Sequence, residues 1–405
     1  MLVAMSFGGP ASPEQYSPPA FASPLAQPTA YAPPPPAAPS PAPALPTLPL
    51  PARKGRTVSI WLFGVLGFLL IALVGYFVGA LGPVASGVGL ILALIPLAIV
   101  LWGIRLIDRW EPEPRRLIVF AVAWGAVAAV GLTLLVDLGL TILIGLRPDA
   151  LTAVIQAPII EELAKGLGVF LIFAVARRAF DGPVDGVVYG ALVGAGFAFT
   201  ENIQYFAISL IEGGGEQLTV TFIMRALLSP FAHAMFTALT GFAIGLAARR
   251  HASVRTAAGA GSLGLVGAIL LHGFWNGSAT FADFFSIYIT LQVPLFIAFI
   301  LAIVALRREE ARLTRVRLSE YAAAGWFTPE EVTLLATRGG RKTGLRWAAA
   351  LRGDRRPLMQ EFIKDATALA AVRQRALTGR DPLAPEDERA LLLRTRAART
   401  ALLSY

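Results

Sequence analysis

The stretch VSIWLFGVLGFLLIALVGYFVGAL, residues 58–81, carries no charge over 24 residues. At 1.5 Å per residue it reaches about 36 Å as a helix, enough to cross roughly 30 Å of hydrocarbon. Seven more apolar segments follow it, at 87–106, 117–146, 151–176, 185–211, 222–248, 257–280 and 285–306. Glycines and prolines inside them do not argue against helices, because membrane helices tolerate both. Composition points the same way. The chain is 56% hydrophobic and 15% charged, against about 25% charged for a soluble domain. The expected fold is all-α: a polytopic helical membrane protein with about eight transmembrane helices.

The ends differ from this middle. Residues 1–56 hold the Pro/Ala-rich run YAPPPPAAPSPAPALP and are expected to be a disordered, polyproline-rich segment. Residues 57–306 form the membrane domain. Residues 307–405 are expected to form a helical cytosolic tail, with 20 Lys+Arg against 12 Asp+Glu, a balance of +8 within a whole-chain +9. Such a basic tail can meet nucleic acid or an anionic membrane surface. Following a membrane span, it reads as holding the tail in the cytoplasm, with the lipid bilayer and no nucleic acid as partner. In FTPEEVTLLA, Thr328, Pro329 and Glu331 stand as N-cap, first helical residue and capping-box acid. EFIKDATALAAVRQRAL, 361–377, has amphipathic helical spacing.

Loop charges give an orientation. Arginines and lysines cluster before the first span and after the second, fourth, sixth and eighth, while the alternate loops hold Arg147 alone, EGGGEQ (212–217) and FADF (281–284). The positive-inside rule then puts both termini in the cytoplasm.

There is no cysteine, and the three histidines are His233, His251 and His272. His251 lies in a basic loop and reads as solvated. The spans contain Asp137, Glu161, Glu162, Lys165, Glu201, Arg225, His233 and His272. Ionisable groups at that depth are costly and default to functional candidates. Counted from the outer ends of their spans, Glu161, Glu201, His233 and His272 each lie about 8–11 residues in, roughly 12–17 Å deep. Four helices would therefore bring polar groups to one level.

Local spacing adds detail. Glu161 and Lys165 are four apart on one helix face, so Lys165 is placed to neutralise Glu161 and leave Glu162 toward a cavity. His272 and Asn276 are also four apart, and Asn276 is in reach of the imidazole. Two histidines and a glutamate match a His₂Glu catalytic zinc set, and a further carboxylate could take a proton from water. No HExxH is present, so the ligands would converge from separate helices. Structural readings compete: a buried Glu161–Lys165 ion pair, a core histidine at His272, Arg225 pairing with Asp137 or Glu201, and Asp137 as a helix-packing group. A proton-coupled transporter or channel is the rival function, since Glu/His chains also relay protons.

EELAK (161–165), FAFTEN (197–202), RALLSPFAH (225–233) and HGFWN (272–276) resemble, in order, the four motifs of the PrsW family of intramembrane proteases, and DRWEPEP (108–114) resembles that family's loop motif. The resemblance covers roughly 58–306. It implies a bacterial plasma-membrane, multi-pass protease that cuts a membrane-anchored protein such as an anti-sigma factor. It implies catalytic residues Glu161, Glu162, Glu201, His233 and His272. Zn²⁺ would be held by Glu201, His233 and His272, unless glutamate and histidine activate water without metal. Lys165, Asn202, Arg225 and Asn276 would support them, and Glu162 is slightly preferred over Glu161 as the base.

Overall fold

The structure is a computed structural model that describes residues 59–404, apart from 147, 251, 252, 282, 378, 380 and 382. The polyproline expectation for 1–56 and the solvated reading of His251 lie outside the described residues. No strand occurs among the described residues. They fall into two compact units, Lys54–Arg307 and Arg308 onward.

The first unit is built from α1 (Ile60–Leu81), α2 (Pro83–Ile107), α3 (Arg115–Ile144), α4 (Ala157–Val175), α5 (Pro183–Phe222), α6 (Ala232–Arg249), α7 (Val254–Phe281) and the start of α8 (Phe284–Ala323). Each of the eight apolar segments is helical. Six continuous helices among the described residues are long and apolar enough to cross a membrane. Two features separate that six from the expected eight. The count takes Pro183–Arg249 as one span, although the chain kinks at Gly214 and leaves the helix at residues 229–231, so it covers two expected spans. α4 falls outside the six, since Glu161, Glu162 and Lys165 load its 19 residues with charge.

One expected loop is corrected. The EGGGEQ connection at 212–217 is helical on both sides, and the direction changes at Gly214, whose φ of 62° suits glycine. Gly82, with φ 78°, makes the turn between α1 and α2.

Large apolar side chains face outward along these helices, including Trp61, Phe68, Ile71, Ile91, Leu143 and Leu263. A continuous apolar exterior of this kind suits lipid as solvent. The interior holds Leu117, Phe120, Val169, Phe173, Tyr189 and Val193. α5 is buried nearly all round over residues 183–200, and glycines set its distance from α6. A Cβ on Gly186, Gly190 or Gly194 would come within 2.0, 2.6 and 2.3 Å of the carbonyl oxygens of Gly241, Thr237 and His233. Only glycine admits that approach, the small-residue packing of membrane helices.

The second unit continues α8 and adds α9 (Pro329–Leu335), α10 (Arg338–Ala350), α11 (Arg356–Leu377) and α12 (Ala384–Leu403). The capping box is formed: Thr328 Oγ1 accepts from Glu331 N at 3.2 Å, and the Glu331 carboxylate accepts from Thr328 N at 2.9 Å. Its own core includes Leu318, Phe327, Leu334, Met359, Phe362 and Leu402.

Candidate active site

Three helices deliver the central cluster. α4 carries Glu161, Glu162 and Lys165, α6 carries His233, and α7 carries His272, and all five are buried. α5 adds Glu201 and Asn202, and the π-helical turn Ile223–Leu228 adds Arg225. A second π-helical turn, Thr152–Gln156, leads directly into α4. Such turns shift side-chain register and recur at functional sites.

Lys165 is the hub. Its Nζ lies 2.7 Å from Glu162 Oε1, 3.2 Å from Glu161 Oε2 and 3.1 Å from His233 Nδ1. It also sits 4.0 Å from the centre of the Phe197 ring, a cation–π contact. The expectation that Lys165 mainly neutralises Glu161 is corrected: the nearer carboxylate is Glu162. Both i,i+3 and i,i+4 partners share one helix face, so spacing alone does not choose between them.

Glu162 is fully engaged. Thr237 Oγ1 donates to its Oε2 at 2.9 Å, and His272 Nδ1 stands 3.1 Å from Oε1. A carboxylate only accepts, so Nδ1 is the protonated nitrogen of His272 and Nε2 keeps its lone pair. That Nε2 is 3.9 Å from Glu161 Oε2. Phe236 stacks on the His272 ring at 4.8 Å and fixes its plane.

His233 spans two charged groups. The Lys165 ammonium has only donors, so Nδ1 accepts from it. Nε2 then donates to Glu201 Oε2 at 2.8 Å. Glu201 also pairs with Arg225 Nη2. Arg225 Nε donates to Asn202 Oδ1 at 2.7 Å, and the guanidinium lies 3.9 Å from the Tyr205 ring.

The structure thus draws Glu161, Glu162, Glu201, His233 and His272 into one network. Glu161, His233 and His272 offer ligand atoms that all lie within 4.8 Å of one another. Glu201, read from the sequence as the carboxylate of that set, instead lies between Arg225 and His233. Asn276 is also corrected: its Nδ2 donates to Ala153 O at 2.9 Å and ties α7 to the π-helical turn, not to the imidazole. Asp137 accepts from Gln156 at 2.7 Å, a helix-packing contact. Thr237 and Tyr205 were not singled out in the sequence. Each stands four residues after a candidate, His233 and Glu201, and that spacing was the available signal.

A second polar node lies in the 108–114 loop. The Asp108 carboxylate accepts from Glu113 N at 3.1 and 3.2 Å, and Glu113 accepts from Tyr189 OH at 2.5 Å. Burial pushes Asp108 up to about 6. Burial, reinforced by neighbouring Asp185, pushes Glu113 well above the usual carboxylate range.

Comparison with known proteins follows the same residues. The family described as PrsW family intramembrane metalloprotease matches residues 113–303. The chain is 39% identical over 98 residues to Protease PrsW of Geobacillus kaustophilus, 24% of this chain and 40% of that protein. It is 37% identical over 117 residues to Protease PrsW of Bacillus subtilis, 29% of this chain and 49% of that protein. It is 30% identical over 156 residues to Protease PrsW of Clostridioides difficile, 38% of this chain and 63% of that protein. The chain therefore spans between 40% and 63% of the length of these curated relatives. No solved structure matches it.

Proposed function

We propose that the protein is an intramembrane endopeptidase acting on a membrane-anchored protein, a reading supported by the match of residues 113–303 to the PrsW family of intramembrane metalloproteases. The observation that carries the reading is the unequal state of the twin glutamates. Glu162 has Lys165, Thr237 and His272 against it. Glu161 has Lys165 at 3.2 Å and His272 Nε2 at 3.9 Å, which leaves acceptor capacity free beside two imidazoles.

In this reading Glu161 is the carboxylate that meets the hydrolytic water and holds its proton while the water oxygen bonds to the substrate carbonyl carbon. The proton then passes to the amine nitrogen as the C–N bond breaks. Glu162 is a positioning residue that holds the His272 ring and Lys165. Lys165 and Arg225 supply fixed positive charge near the developing oxyanion. Asn202 orients Arg225, and Glu201 orients His233.

The donors also fit a divalent metal. One carboxylate and two imidazoles, all buried, are a borderline-soft set of the kind zinc accepts. In a metal-bound form Glu161, His233 and His272 would hold the ion, with His272 presenting Nε2, His233 Nδ1 released from Lys165, and Glu161 acting as ligand instead of base. Bound there, zinc would supply Lewis acidity and ease ionisation of water.

A groove of about 600 Å³, lined by Ile159, Leu270, Gly273 and Phe274 among others, runs beside α4 and α7. Its apolar lining suits a membrane segment of the substrate. The loop charges support a multi-pass plasma-membrane protein with both termini cytoplasmic.

The test is co-expression with candidate single-span membrane proteins, anti-sigma factors included. Wild type is expected to release a specific fragment, and Glu161→Gln to lose it by about 10³-fold or more. Metal analysis of purified wild type against His233→Ala/His272→Ala reads the zinc assignment without relying on activity. If wild type cleaves none of these proteins yet conducts protons in liposomes, the protease reading is wrong.

A further inference from the structure

The second unit pairs several of its acidic groups inward, although Glu330, Asp354 and Glu386 are exposed. Glu331 pairs with Arg399 at 2.7 Å, Asp365 with Arg394 at 3.0 Å, and Glu320 with Arg373 at 2.9 Å. Its basic groups are distributed differently. Residues 338–356 hold seven Lys+Arg and one acid, Asp354.

Within that run, α10 sorts its side chains by face. Gly344 and Ala348 are buried, and Leu345 and Trp347 pack partly buried against the core. Arg338, Lys342 and Arg346 recur every fourth residue and are exposed, with exposed Ala349 in the same arc. Arg352, just past the helix end, is exposed too. None of these four cations has a carboxylate partner among the described residues, whereas Arg341 and Arg355 turn to Thr367 and to the carbonyls of Ala401 and Leu402. α10 itself contains no acid. Among the described residues the one bond shown for this row is Arg346 Nη2 to Thr343 Oγ1 at 3.3 Å, within α10 itself, so the core does not depend on it.

We propose that the Arg338–Lys342–Arg346 face of α10 docks on anionic lipid headgroups of the bilayer that the chain itself crosses. Charge complementarity names the partner, and chain continuity favours lipid over other anions. α8 passes without interruption from its apolar half into the second unit, ending at Ala323. The unit is therefore tethered to a membrane, and tethering raises the local concentration of headgroups. Few charges then suffice, since each Lys or Arg near an anionic leaflet favours the docked state about five-fold. A row about 12 Å long, flanked by Leu345 and Ala349, also matches a helix lying flat at an interface.

The chain has no cysteine, so one introduced thiol can be labelled cleanly. Full-length Ala349→Cys carrying a nitroxide is placed in nanodiscs of phosphatidylcholine, or of phosphatidylcholine with phosphatidylglycerol. Accessibility to oxygen and to an aqueous nickel chelate reads immersion. The expected result is an oxygen-accessible, nickel-protected label in anionic discs only, reversed by 0.5 M salt, where screening length falls to about 4 Å. Adding Arg338→Gln, Lys342→Gln and Arg346→Gln should lower the docked-to-free ratio about a hundred-fold. A control label at exposed Leu393 on α12 should stay aqueous in both discs. Three results would each overturn the proposal: a label equally aqueous in both lipid compositions, immersion unaffected by the triple substitution, or a label that responds to added RNA but not to lipid.

Discussion

Replacing Lys165 with methionine removes the one cation that serves both α4 glutamates while keeping an unbranched side chain of similar reach. At an effective dielectric constant of about 20, the 2.7 Å contact with Glu162 corresponds to about 6 kcal/mol of attraction. The 3.2 Å contact with Glu161 corresponds to about 5 kcal/mol. Desolvation of three buried groups offsets most of this, and removing one partner of a buried pair costs about 3–5 kcal/mol in practice. Lys165→Met should therefore lose about 3–5 kcal/mol in denaturant unfolding of the detergent-purified protein. The second substitution carries the argument. Adding Glu162→Gln should recover more than half of that loss, because Glu162 is the fully buried carboxylate and the nearer one. Adding Glu161→Gln should recover less. A loss below about 1 kcal/mol for the single variant refutes the hub role. So does better rescue by Glu161→Gln, which would return Lys165 to the pairing first read from the i,i+4 spacing.

Gly190→Ala should cost about 1–3 kcal/mol in the same unfolding assay, since its Cβ would stand 2.6 Å from Thr237 O and force α5 off α6. Burial pushes Asp108 up to about 6 in the folded protein against an ordinary 3.8. The folded state then binds the extra proton between about pH 4 and 6, so this group's contribution is full below that window and lost as pH rises through it. Asp108→Asn should flatten that part of a Tm-against-pH curve, and an unchanged slope would assign it elsewhere. In the second unit, Glu331→Ala should cost about 3–5 kcal/mol by stranding Arg399 and opening the Thr328 cap. Limited proteolysis should then cut within residues 324–404 well before it cuts wild type.

Helix identity was legible because long apolar runs leave a bilayer-spanning chain little other choice. The convergence of the polar groups was legible too. Counting residues inward from span ends brought Glu161, Glu201, His233 and His272 to one level, and the structure joins them through Lys165 and Glu162. What the sequence concealed is lateral. That α4 faces α6 and α7 through Thr237 and His272 is a matter of packing, which no count along one helix reports. The GxxxGxxxG spacing of Gly186, Gly190 and Gly194 does announce a close helix contact. It could have pointed to α5 and α6 as neighbours. The break at Gly214 was misread as a loop, since three glycines between two glutamates look the same whether the chain leaves the helix or merely bends it. The Glu113–Tyr189 contact, with 76 residues between its ends, carried no local signature.

The twin glutamates show how tertiary context divides roles that sequence leaves equal. Neighbouring residues on a helix point about 100° apart, so Glu161 and Glu162 reach the shared Lys165 and His272 from different sides. Lys165 follows at i+4 from one and i+3 from the other, within reach of both. Nothing in EELAK breaks that symmetry. It is broken by α6, whose Thr237 donates to Glu162, and by α7, whose His272 presents Nδ1 to the same carboxylate. Those two bonds, with that of Lys165, take about three of the four acceptor sites of Glu162 and at the same time turn Nε2 of His272 toward Glu161. In the proposed function one set of hydrogen bonds therefore does both jobs: it gives one carboxylate a supporting place and aims an imidazole at the other. A Thr237→Val variant tests this link without touching either glutamate. It should leave the fold intact and slow cleavage by loosening Glu162. If cleavage is unchanged while Glu162→Gln abolishes it, Glu162 itself meets the water and the division of roles is reversed.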